Sequence, residues 1–226
     1  MAVRTLVARL RNLSWVHRSL LLGALLTVLW TQWVPAGNLT ARATFDAVVF
    51  VVAPGVLALT HGHRLGWRVN RRALRHTVLL ALFVLPFYLV GSTFPTVRAY
   101  YPMWQTSVAP LDFLPHAAQQ LVVVVAAETY YRGLLCVGVR EVGFKSVFIS
   151  PVVYAFHHFG KPPIELVLSG PTDVLFGAVD YKSESILPSV VAHGFGLALL
   201  DWLTLHPPLF APDAVLRWLS WLPIPL

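Results

Sequence analysis

Long apolar stretches separated by short polar or basic connections dominate the chain from residue 19 onward. Such runs, close to the roughly 20 residues that a bilayer demands, predict transmembrane helices. The pattern places spans over about 19–34, 45–60, 77–94, 116–139, 147–159, 164–179 and 186–205. The fifth is short, and Gly170-Pro171 interrupts the sixth. Residues 1–18 differ: Val3, Leu6, Val7, Leu10 and Leu13 recur at helical spacing among Arg4, Arg9 and Arg11. That alternation predicts an amphipathic helix lying on a membrane surface. The tail, 207–226, is rich in Pro and Trp and predicts an interfacial segment or a short extra helix. The fold class expected is all-α, a multi-spanning transmembrane bundle of about 7–8 helices, with one membrane domain over 19–206.

Composition sharpens this picture. Only 12% of residues are charged, about half the share in soluble domains. The net charge of +7 could suggest nucleic acid, but the positions of the charges argue otherwise. With the N-terminus inside, twelve of the seventeen Lys and Arg fall on the cytoplasmic side, five of them between Arg64 and Arg75. The positive-inside rule thus explains the charge and sets the orientation. Arg greatly outnumbers Lys, which hints at a GC-rich bacterial genome and so favours a non-prenylated substrate; the location expected is a bacterial inner membrane. Trp30 and Trp33 close the first span as an aromatic belt. No cleavage-type triplet follows that span closely enough for a signal peptide, so it reads as a retained anchor. The sequon at Asn38 is a weak match. The single cysteine, Cys136, excludes an internal disulfide framework and any Cys-based metal cluster.

Ionisable residues inside spans are costly and usually functional. Glu128 and Arg132 stand four apart on one face of the fourth span. His158, with His157 beside it, lies in the fifth, and His193 in the seventh, between small residues. Counted from the cytoplasmic boundaries, Glu128, His158 and His193 sit about 14–20 Å deep at 1.5 Å per residue. Three helices therefore offer polar side chains at a similar level. A carboxylate balanced between desolvation and a nearby guanidinium can act as a base toward water. A histidine can orient that water or steady an oxyanion. Each group also has a structural reading: a buried ion pair, an interfacial imidazole pair, a packing histidine. Two His and one Glu could also hold zinc, although no H-E-x-x-H is present.

At these residues the chain resembles the CPBP family, bacterial relatives of the CAAX prenyl endopeptidases also called Abi proteins. Ala127-Glu128-Thr129-Tyr130-Tyr131-Arg132 lies over the family's E-E-x-x-x-R motif. Tyr154-Ala155-Phe156-His157-His158 is similar to F-x-x-x-H, and His193 with Leu197 to the third motif, in which Asn or Asp follows His by four. The motif core spans about 114–206. The resemblance implies an intramembrane glutamic-type endopeptidase acting on a membrane-tethered peptide or protein, with no cofactor and no resident metal. It assigns water activation to the 127/128 acid pair with His158, positioning of the acid to Arg132 and oxyanion stabilisation to His193. Tyr154 and His157 would support them.

Two slots depart from the family. Ala127 stands where the family has its first Glu, the base that activates water. That leaves three readings: an inactivated form of a parent carrying Glu there, a site in which Glu128 does the work, or a natural pseudoenzyme. Survival of the other motif residues favours the first. Leu197 stands in the Asn slot, and Asp201, one turn further, shares its face and is a candidate substitute. The rival from another class is a non-catalytic membrane scaffold, since the resemblance extends distantly to a scaffold subunit of gamma-secretase. A zinc-dependent membrane protease is the rival among enzymes.

Overall fold

The computed structural model describes residues 12–222, and among these the chain forms nine α-helices and one 3-10 segment, with no strand. The expected all-helical membrane bundle is therefore what the structure shows. The predicted surface helix over 1–18 lies largely outside the described residues. Helix α1 runs Trp15–Trp33, with the Ser14 hydroxyl as its N-cap. Helix α2, Leu39–Thr60, starts at Asn38, whose side chain accepts from the Ala41 N–H at 2.9 Å. The sequon asparagine is thus a helix cap. Helix α3, Arg71–Gly91, is capped in the same way by Asn70.

A short α4 (Pro95–Tyr100) leads into α5, Pro110–Val137, whose last nine residues, Thr129–Val137, wind as a wider π turn. The 3-10 segment Arg140–Phe148 precedes α6 (Ser150–Phe156), α7 (Pro163–Ser183), α8 (Leu187–Thr204) and α9 (Pro212–Trp218).

Among the described residues, four helices are long and apolar enough to cross a membrane: α2, α3, α5 and α8. Three sequence expectations change here: α1, over the first predicted span, is not one of these four. The fifth predicted span is only the seven-residue α6, about 10 Å long; His157 and His158 lie just past its end. The sixth is not interrupted: α7 continues through Gly170-Pro171. Its acids, Glu165, Asp173 and Asp180, set it apart from the four apolar spans.

Burial grades the spans into inner and outer. In α5, 78% of the membrane window is buried and in α8 56%, against 33% for α2 and 22% for α3. The outer helices turn Val52, Val56, Leu59, Val78 and Leu82 outward, as a lipid solvent requires. Close approach of α8 to its neighbours depends on two glycines. A Cβ on Gly194 would come within 2.7 Å of Leu121 on α5, and one on Gly196 would overlap the Tyr88 ring of α3. His193 is carried between helices drawn together by its small neighbours.

Arg98 closes the far end of α8. Its guanidinium donates to the carbonyls of Leu203 (3.3 Å), Thr204 (2.8 Å) and His206, and to that of Ser92 (3.0 Å). Carbonyls at a helix C-terminus have no partner within the helix, so Arg98→Ala should destabilise the protein by about 2 kcal/mol. A lowered thermal unfolding midpoint in detergent is the measurement, and an unchanged midpoint would refute the capping role.

Candidate active site

Glu128 ends the α-helical part of α5, immediately before the π turn that carries Arg132. Both side chains are fully buried. Arg132 Nε lies 3.1 Å from Glu128 Oε2, and its Nη2 lies 2.8 Å from Asp173 Oδ1 on α7. The same guanidinium sits 4.9 Å over the Tyr154 ring of α6 and 5.5 Å from that of Phe176. Asp173 also accepts from the Ser150 hydroxyl of α6. One cation therefore ties α5, α6 and α7 together. Such burial is tolerable only because each charge meets its opposite. A π turn shifts side chains around the helix and often marks a functional position.

From α8, His193 places Nδ1 2.6 Å from Glu128 Oε1. Glu128 is sealed, whereas the His193 side chain is 21% exposed. With the carboxylate accepting the Nδ1 proton, Nε2 keeps a free lone pair turned away from the acid. His158 is fixed similarly. Its Nδ1 lies 2.8 Å from the Tyr154 carbonyl, which can only accept, so the proton rests on Nδ1 and Nε2 is again the basic nitrogen. The rings of Tyr154 and His158 are 4.1 Å apart. The convergence expected from the sequence thus joins Glu128, Arg132 and His193 by direct contact, and reaches His158 through Tyr154.

Other candidates sit elsewhere. Ala127 is half-buried against the cluster containing Phe50 and Tyr130, about 100° around the helix from Glu128. His157 turns from its neighbour: its Nδ1 meets the Tyr131 hydroxyl, and its ring stacks on Trp30 at 4.1 Å. Leu197 is packed in an apolar cluster with Tyr101, Ile164 and Val215. Asp201, the candidate substitute for the family Asn, is engaged by α5. Two turns beyond His193, its Oδ2 is held by His116 Nε2 and Gln120 Nε2 of α5, both at 2.6 Å. It is a clamp between α5 and α8.

Two acids were not foreseen. Asp173 could have been found by applying the intramembrane-charge argument to 164–179. Glu165 opens α7, accepts from the Tyr101 hydroxyl at 2.8 Å and lies 3.8 Å from Lys161, while its Oε1 is buried without a partner. Burial, and then Glu165, hold the Tyr101 hydroxyl well above its ordinary pKa. Among the described residues, no three His, Cys, Asp or Glu side chains converge as a metal-ligand set.

Residues 110–198 match the family model described as Type II CAAX prenyl endopeptidase Rce1-like. That stretch runs from the start of α5 into α8 and includes Glu128, Arg132, His158, Asp173 and His193. No curated protein and no solved structure matches the chain.

Proposed function

We propose, starting from the match of residues 110–198 to the Rce1-like family model, that the protein is an intramembrane endopeptidase hydrolysing a peptide bond of a membrane-anchored substrate. The matched family is one of proteases, and the four apolar helices support an integral membrane protein. The finer reading is carried by one observation, the 2.6 Å contact between Glu128 and His193.

A buried carboxylate on Nδ1 orients the imidazole and stabilises its protonated form, leaving Nε2 as a base. Water attacking the scissile carbonyl gives its proton to His193 Nε2. The new C–O bond forms, and the same proton passes to the amide nitrogen as the C–N bond breaks. His158 Nε2, an acceptor on the ring set beside Tyr154, orients the second water hydrogen. Arg132 positions Glu128. The base that the family draws from the 127 slot is thereby supplied one residue along, through His193. The basic connections favour an N-terminus in the cytoplasm of a bacterial inner membrane.

A second reading, a non-catalytic relative, is favoured by Ala127 and by the apolar packing of Leu197. Both are tested by reconstituting the full chain in vesicles with membrane-tethered peptides and measuring cleavage by mass spectrometry. The expected result is chelator-insensitive cleavage by the wild type, lowered at least about a hundredfold by His193→Ala. Cleavage by Ala127→Glu alone would identify an inactivated enzyme. Cleavage by neither would leave the scaffold reading.

A further inference from the structure

The strongest unassigned feature lies away from the Glu128–His193 pair, at the end of α3 where that helix enters the membrane. A cavity of about 620 Å³ is lined by Arg71, Arg72, Arg75, Arg140, Lys182 and His76, with Tyr181 at its wall. Only part of this charge is matched. Arg140 lies 3.1 Å from Glu184, an acid shared with Arg68, and its guanidinium sits 4.9 Å over the Tyr181 ring. Arg72 donates to the Lys182 carbonyl at 3.2 Å. The side chains of Arg71, Arg75 and Lys182 meet no acid among the described residues. His76 Nδ1 is buried beside them without a hydrogen-bond partner.

Five cations gathered around one cavity repel one another, so the arrangement is stabilised by an anion with several acceptor oxygens. Guanidinium groups match the oxygens of a phosphate. The position says what carries that phosphate. Arg71, Arg72 and Arg75 occupy the first turns of a helix long and apolar enough to span a membrane. Three and four residues beyond Arg75, on the same face, Val78 and Leu79 are exposed, followed by Leu82 and Phe83. A basic cavity directly above an open apolar strip fits a ligand with an anionic head and an acyl tail. Free phosphate would use the head site and leave the strip unused.

We propose that this cavity is a binding site for an anionic phospholipid, whose phosphodiester sits among Arg71, Arg72, Arg75 and Lys182 and whose acyl chain lies along Val78, Leu79 and Leu82. The site is independent of the catalytic reading. It anchors α3 at a fixed depth in the leaflet, and through the α3–α8 packing it stabilises the helix that bears His193.

The test uses the full chain, purified in neutral detergent and exchanged into an equimolar mixture of phosphatidylglycerol and phosphatidylcholine, with bound lipid counted by native mass spectrometry. Phosphatidylglycerol should be retained about tenfold over phosphatidylcholine. The double variant Arg71→Gln/Arg75→Gln removes two exposed charges that pair with no acid, and should bring the ratio close to one. Lys182→Gln should lower it by a smaller factor and serves if the double variant fails to fold. Lys145→Gln/Arg217→Gln, which lies outside the cavity, should leave the ratio unchanged. Excess inorganic phosphate should fail to displace the lipid. Equal retention of the two lipids by the wild type would overturn the proposal. So would a preference that survives both cavity variants, or displacement by inorganic phosphate, which would mark a site for soluble anions.

Discussion

Arg132→Met should destabilise the protein by about 3–5 kcal/mol, because it removes the cation that serves two buried carboxylates at once. Glu128 and Asp173 lie 3.1 and 2.8 Å from the guanidinium, and all three side chains are sealed from solvent. Methionine fills much of the volume, so the cost comes from charge and not from a cavity. The measurement is the thermal unfolding midpoint in detergent, followed by intrinsic tryptophan fluorescence. Adding Asp173→Asn to Arg132→Met should recover part of the loss, since one of the two stranded charges is then gone; neighbours in one network do not add. A midpoint unchanged by Arg132→Met would show that water reaches these acids and that the site is not closed as described.

Glu128→Gln should leave the fold nearly intact while lowering peptide hydrolysis by about a thousandfold. The amide preserves the shape, and its oxygen can still accept from His193 Nδ1, but it cannot stabilise a protonated imidazole. The readout is the rate of cleavage of a tethered peptide, with the unfolding midpoint measured beside it. A conserved rate would remove Glu128 from the chemistry and leave it a structural role only. The two variants separate the functions of one network, since Arg132 sets stability and Glu128 sets the behaviour of the histidine.

The centre of this network was legible in the sequence for a simple reason. Charges four apart in an apolar run must share a face and find partners, and Glu128 and Arg132 do. That His193 would meet them followed from a rough equality of depth. What could not be read was the assignment of individual atoms. Adjacent residues at a helix end point about 100° apart, so nothing in the string His157-His158 says which ring turns toward Tyr154 and which stacks on Trp30. Asp201 illustrates the same limit: sharing a face with Leu197 did not determine whether it would look along α8 or across to His116 and Gln120. The reading of α7 erred on local grounds. Gly170-Pro171 normally marks a break, yet a proline that removes one backbone donor is tolerated within a helix held along its length by neighbours, here the packing of α6 against α7. The seven residues of α6 were overextended because the apolar run continues past the point where the backbone turns.

The order of the partners along the chain has a consequence for biogenesis. Asp173 and His193 lie 45 and 65 residues after Glu128, on later helices, so neither enters the bilayer together with α5. Arg132 does, and it lies within reach of Glu128 on the same helix. The segment therefore enters lipid already carrying its own counter-ion, and the later helices exchange a provisional neutralisation for the final one. Insertion and assembly are in this way uncoupled for the most polar stretch of the protein.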